Sequence, residues 1–88
     1  MEGYLGTVTY QAYDENDNLI DQCRFMFLTS WDEAVEKGML YATETEGATG
    51  FTLSMGYGQH PCWEMFEKVC DCWKSVGSEN LDELRDQC

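Results

Sequence analysis

Three short clusters in this 88-residue chain hold residue types that could do chemistry. Asp14-x-Asn16-x-Asn18 sets oxygen donors at the alternate positions that open a calcium-binding loop. The sixth position of such a loop is glycine and the twelfth glutamate; here they are Leu19 and Phe25. The second half of the ligand set is missing and the flanks alternate like strands, so a hairpin tip fits better. His60-x-Cys62 and Cys70-x-Cys72 are zinc-ligand types. Read as a helix that begins at Pro61, the segment puts Cys70 and Cys72 about 200° apart on its surface. Cys62 and Cys70 are then separated by roughly 12 Å of helix rise, too far for one tetrahedral site or a disulfide. A zinc site joining His60 and Cys62 to the distant Cys23 or Cys88 is the arrangement left open. His60 and Cys62 could also pair as base and nucleophile, since a helix N-terminus lowers a thiol pKa. Such a pair needs an oriented base and a substrate cleft, and the chain offers one histidine and little room. Gly56-Tyr57-Gly58 lacks the further glycine or lysine of a phosphate loop. No catalytic activity, metal or cofactor is expected from these clusters.

The elements that must position these residues follow from periodicity. Tyr4, Val8, Tyr10 and Ala12 share one face of a strand, with Thr7, Thr9 and Gln11 on the other. Asp14 to Asn18 form a turn, because short polar side chains bond their own backbone. Leu19 to Leu28 return as a second strand with Cys23, Phe25 and Phe27 on one face. For Val8 and Tyr10 to share that face, an even number of residues must separate the paired strands. Ser30 and Glu33 make a capping box for a helix with Trp31, Ala34, Val35, Gly38 and Ala42 inward, ending near Gly47. Phe51, Leu53, Met55 and Tyr57 alternate as a third strand. Pro61 suits the first position of a helix over residues 62–76, with Cys62, Phe66, Val69, Trp73 and Val76 as its stripe and Gly77 as its stop. Ser78 caps a last short helix carrying Leu81, Leu84 and Cys88. The expected fold is α+β in β-β-α-β-α-α order: a small antiparallel sheet of about three strands with two or three helices on one face. All 88 residues are expected to form a single domain.

Composition bounds the function. Forty-three per cent hydrophobic and 14% aromatic residues exclude intrinsic disorder. Seventeen acids against five bases, a formal charge of −12, exclude direct binding to nucleic acid or an anionic membrane. The N-terminal residues show no signal peptide, and the longest uncharged stretch, Gly47–Trp63, is too polar to cross a bilayer. Five cysteines without a secretory signal point to thiols in a reducing cytoplasm.

The acids are uneven. Residues 1–46 hold ten acids and two bases, net −8, whereas residues 64–88 are net −4 and the stretch between them is neutral. In the long C-terminal segment, lysines stand near the acids and relieve them. The front half has little relief, and its self-repulsion exceeds what solubility needs, a net charge of about 2–8 for a small domain. Carboxylates about 5–6 Å apart on a helix approximate the spacing of nucleic-acid phosphates. The expected function is therefore a small, non-enzymatic inhibitor that occupies the DNA- or RNA-binding surface of a basic protein or complex. In size and charge alone, the chain resembles the small acidic inhibitors that phages make against bacterial restriction or CRISPR machinery. The expected contacts are Asp14, Glu15, Asp17, Asp32, Glu33 and Glu36, with Tyr57 as an aromatic anchor. The alternative is a structural or adaptor module, monomeric or homodimeric, that pairs through Gly47–Trp63 or a sheet edge.

Overall fold

The computed structural model describes residues 6–57 and 60–79, apart from the side chains of Tyr57 and His60. The chain is mostly β. Strands β1 (Gly6–Tyr13) and β2 (Leu19–Leu28) are followed by helix α1 (Trp31–Glu44), then β3 (Gly50–Tyr57), β4 (His60–Val69) and β5 (Cys72–Glu79). They form one antiparallel sheet in the order β2-β1-β3-β4-β5. This overturns the expected α+β layout, because the segment read as a long helix is the β4–β5 hairpin. Ser78 lies in β5 rather than capping a helix, and Tyr4, Leu81, Leu84 and Cys88 lie outside the described residues.

Side-chain direction explains the misreading. Cys62, Glu64 and Phe66 alternate toward the core, and all three are buried. A glutamate at the centre of that alternation hides the strand period and leaves a helix-like stripe. Val69 and Val76, both assigned to the stripe, are instead about half exposed. The turn between the strands has Cys70 at φ 53° and Asp71 at φ 67°, the two left-handed residues of a tight hairpin. Asparagine–glycine would have announced that turn; Cys-Asp does not. Pro61 is tolerated near the start of β4, where β3 pairs with it and the described part of β5 does not reach it.

The N-terminal half follows its periodicity more closely. Val8, Tyr10 and Ala12 are buried, and Val8 pairs with Phe25 and Tyr10 with Cys23, as the alternation requires. Two irregularities depart from it. The register shifts between Ala12 and Tyr13, leaving Ile20 as an extra residue. It shifts again between Gly6 and Val8, where Phe27 takes φ 62° and turns out to 73% exposure. Leu28 replaces Phe27 in the core.

Helix α1 covers one face of the sheet with Trp31, Ala34, Gly38 and Ala42. Ser30 Oγ accepts the Glu33 N–H at 3.1 Å, the forward half of the capping box. The return half is displaced by one residue: Glu33 Oε1 accepts the Thr29 N–H at 2.7 Å rather than that of Ser30. The helix stops at Glu44, ahead of Gly47. Beneath it, Tyr10 stacks on Phe25, Phe51 stacks on Phe66, and Trp73 meets Phe51 edge-on. Each fully buried aromatic contributes about 1.5–3 kcal/mol by leaving water. Trp31 donates its indole N–H to Glu64 Oε1 at 2.8 Å, and Ser75 donates to Glu64 Oε2 at 2.7 Å. The buried carboxylate thus ties α1, β4 and β5 together.

Candidate functional site

Strand direction decides which acids meet. β1 ends, β2 begins, α1 ends, β3 begins and β4 turns into β5 at the same end of the molecule. Asp14, Glu15 and Asp17 on the β1–β2 turn therefore share that end with Asp21, Glu44, Glu46, Glu67 and Asp71. The connection after α1 is fastened there by backbone bonds from Thr49 N–H to Tyr13 O (2.8 Å) and from Lys68 N–H to Thr49 O (3.0 Å). An open groove of about 450 Å³ lies beside it, lined by Tyr13, Asp14, Asp17, Phe51, Met65 and Glu67 among others. Its walls join apolar surface to carboxylates, which suits the stem and charged head of a lysine or arginine side chain.

Asp14 is built into its turn. Its Oδ1 accepts the N–H groups of Asn16 (2.8 Å) and Asn18 (2.9 Å), and its Oδ2 accepts the Asn18 side-chain amide at 3.2 Å. The oxygens that a calcium loop would aim at an ion are turned to N–H donors instead. Hydrogen bonds from Asn18, with Asn16 adding to them, hold the Asp14 carboxyl below the ordinary aspartate range. Because the folded pKa is the lower one, this contribution is complete above about pH 4. It is lost as the pH falls through the folded value. An acid titration followed at the Asn16 and Asn18 amide resonances should show the turn loosening in that window. Amide shifts that stay flat there would show that the carboxylate does not hold the turn.

The expected contact set is divided. Asp32 and Glu33 lie at the far end, on the first turn of the 14-residue helix α1, roughly 17–18 Å of helix rise from Glu44, and Glu36 lies a turn further on, roughly 12 Å from it. Asp32 and Glu33 suit the positive end of the helix dipole there, and Glu33 caps the helix through Thr29. Asp32 and Glu33 therefore have structural reasons to be where they are, and Glu36 follows on the exposed face of the helix. Tyr57 closes β3 at that same far end, away from Asp14, Glu15 and Asp17. Glu44 and Glu46 are the opposite case: they follow the helix to its negative end, and its last turn carries no base. Periodicity and composition assigned Asp21, Glu44, Glu46 and Glu67 no contact role. The signal that would have found them is strand direction, which returns α1 toward the β1–β2 turn.

The cysteine geometry also changes. Cys70 is in the hairpin turn and Cys72 opens β5, both exposed, so the helical separation inferred for them does not apply. Among the described residues, no three His, Cys, Asp or Glu side chains are grouped to hold a metal ion. The uncharged Gly47–Trp63 segment supplies β3 and the start of β4. β3 is paired on both sides, which among the described residues leaves β2 and β5 as the sheet edges. Among the described residues, no helix is long and apolar enough to cross a membrane. No protein-family model, curated protein or solved structure matches the chain.

Proposed function

We propose that this chain is a non-enzymatic binding protein of the cytoplasm that engages a basic, nucleic-acid-binding protein or complex through its acidic end. The observation that carries the reading is the gathering of Asp14, Glu15, Asp17, Asp21, Glu44 and Glu46 where β1, β2, α1 and β3 meet, with no base in the last turn of α1. Glu44 and Glu46, at and just past the helix C-terminus, oppose the dipole, so the fold gains nothing from those two. A groove lined by lysine and arginine for phosphates would gain from them. The carboxylates would steer the encounter at long range and exclude nucleic acid from the groove. Asp32, Glu33 and Glu36 are left to helix capping and solvation.

The test is a pull-down from nuclease-treated bacterial lysate, eluted by a salt ladder and compared across three baits. The unaltered chain should retain a nucleic-acid-binding partner that moderate salt or added DNA or RNA releases. A Glu15→Lys, Glu44→Lys, Glu46→Lys triple variant should lose it, whereas Asp32→Lys with Glu36→Lys should keep it. Retention by the triple variant, or a partner indifferent to nucleic acid, would sink the proposal.

A further inference from the structure

Among the described residues β5 is one edge of the sheet, and its residues read as their own antiparallel complement. Pairing against β4 shifts between Met65 and Phe66, so Val76 is an extra residue, and side-chain alternation changes step there. Lys74 pairs with Glu67 and Glu79 with Trp63, which puts both on the face of the sheet away from α1. Ser75 pairs with Phe66 and Ser78 with Glu64, on the helix side. A two-fold axis perpendicular to the sheet can therefore bring Lys74 opposite Glu79 of a second copy, and Glu79 opposite its Lys74. In the same register Ser75 meets Ser78 on the other face. Val76, 48% exposed, stands across from Gly77, over which the Trp63 ring lies, its Cζ3 3.5 Å from where a Cβ would be. A regular strand laid on this edge would fall out of step at Val76, but a second β5 carries the matching irregularity.

The geometry points to homodimerisation through β5, the strands of two copies pairing antiparallel about an axis between Val76 and Gly77 so that two sheets become continuous. Electrostatics favours this edge over the other. The β1–β2 turn is three to four strands away, about 14–19 Å at the usual strand spacing, and the antiparallel arrangement sends the two acidic ends in opposite directions. Repulsion over that distance is largely screened at physiological salt, where the Debye length is about 8 Å. β5 also begins at the acidic end, beside Asp71, but carries Lys74 there; β2 begins beside Asp14, Glu15, Asp17 and Asp21 and is interrupted at Ile20 and Phe27. Glu79 is already oriented, since its Oε1 accepts the Trp63 indole N–H at 2.8 Å, and a carboxylate can accept further donors. The contact is short, so the dimer belongs to the weak, reversible class.

Sedimentation of the whole chain over a range reaching millimolar concentration tests this. The unaltered protein should pass from monomer to dimer. Lys74→Glu and Glu79→Lys should each weaken self-association by roughly tenfold or more, because each replaces two opposite-charge cross-strand pairs with like-charge pairs. Mixed in equal amounts, the two variants should form a heterodimer. One then carries a carboxylate at both positions of the pair and the other an ammonium group at both, so each cross-strand contact again joins opposite charges. The mixture controls for folding, because a variant that had merely unfolded would not be recovered by the other. A monomer at every concentration, or a dimer that neither variant weakens, would overturn the inference. Association restored by high salt alone, with no preference for the mixed pair, would do the same.

Discussion

Replacing Glu64 by alanine should lower the unfolding free energy by about 2–5 kcal/mol, which is much of what a domain this small possesses. The carboxylate is only 5% exposed and accepts hydrogen bonds from the Trp31 indole and the Ser75 hydroxyl. Alanine would leave both donors without that acceptor and open a cavity where α1, β4 and β5 join. Glutamine keeps the volume and an oxygen for Trp31, and the Ser75 hydroxyl can rotate to accept the new amide. Its cost should be about 1 kcal/mol. Urea denaturation of the two variants separates shape from charge. If glutamine proved as damaging as alanine, the ionised carboxylate itself, rather than the hydrogen-bond pattern, would be what the site requires.

Gly38→Val should cost about 3 kcal/mol, although it replaces the poorest interior helix residue other than proline. A Cβ at Gly38 would meet Phe51 Cε2 at 2.8 Å and Leu53 Cδ2 at 3.2 Å. Both are buried side chains of β3, so neither can swing aside. Valine adds two further methyl groups beyond that Cβ and lifts the helix from the sheet at its closest approach. Gly38→Ala should cost less, about 1 kcal/mol, because the better helix propensity of alanine offsets part of the clash. Thermal denaturation of the pair gives the order. A stabilised alanine variant would mean that the helix can slide enough to admit a methyl group.

β1, α1 and β3 were legible because each shows an unbroken period over its core-facing residues: Val8, Tyr10 and Ala12; Trp31, Ala34, Gly38 and Ala42; Phe51 and Leu53. The second hairpin was illegible for one reason above others. Glu64 occupies an inward position, where it accepts hydrogen bonds from Trp31, 33 residues earlier, and Ser75, 11 residues later. No local pattern announces an acceptor whose donors are so distant. The bulge at Phe27 was hidden for a similar reason, since Leu28 and Phe27 are equally apolar and only the register with Gly6 decides between them. As for the site, the local charge excess was visible, but its grouping was not. Which acids become neighbours depends on where α1 ends relative to the β1–β2 turn, a property of topology rather than composition.

The strand order also bears on the chain as it is synthesised. β1 precedes every other strand described, yet it lies inside the sheet, between β2 and β3. β2 can close on one side of it at once, but the other side must wait until α1 and then β3 have been translated. At about 5–20 residues per second, the nearly 40 residues from Tyr13 to Gly50 take roughly 2–8 s. For that interval a nascent chain holds out an unpaired strand edge beside Val8 and Tyr10, the features that invite wrong pairing. α1 emerges first and can lie over those side chains before their partner strand arrives. The helix then serves as a cover during translation as well as a layer of the finished fold.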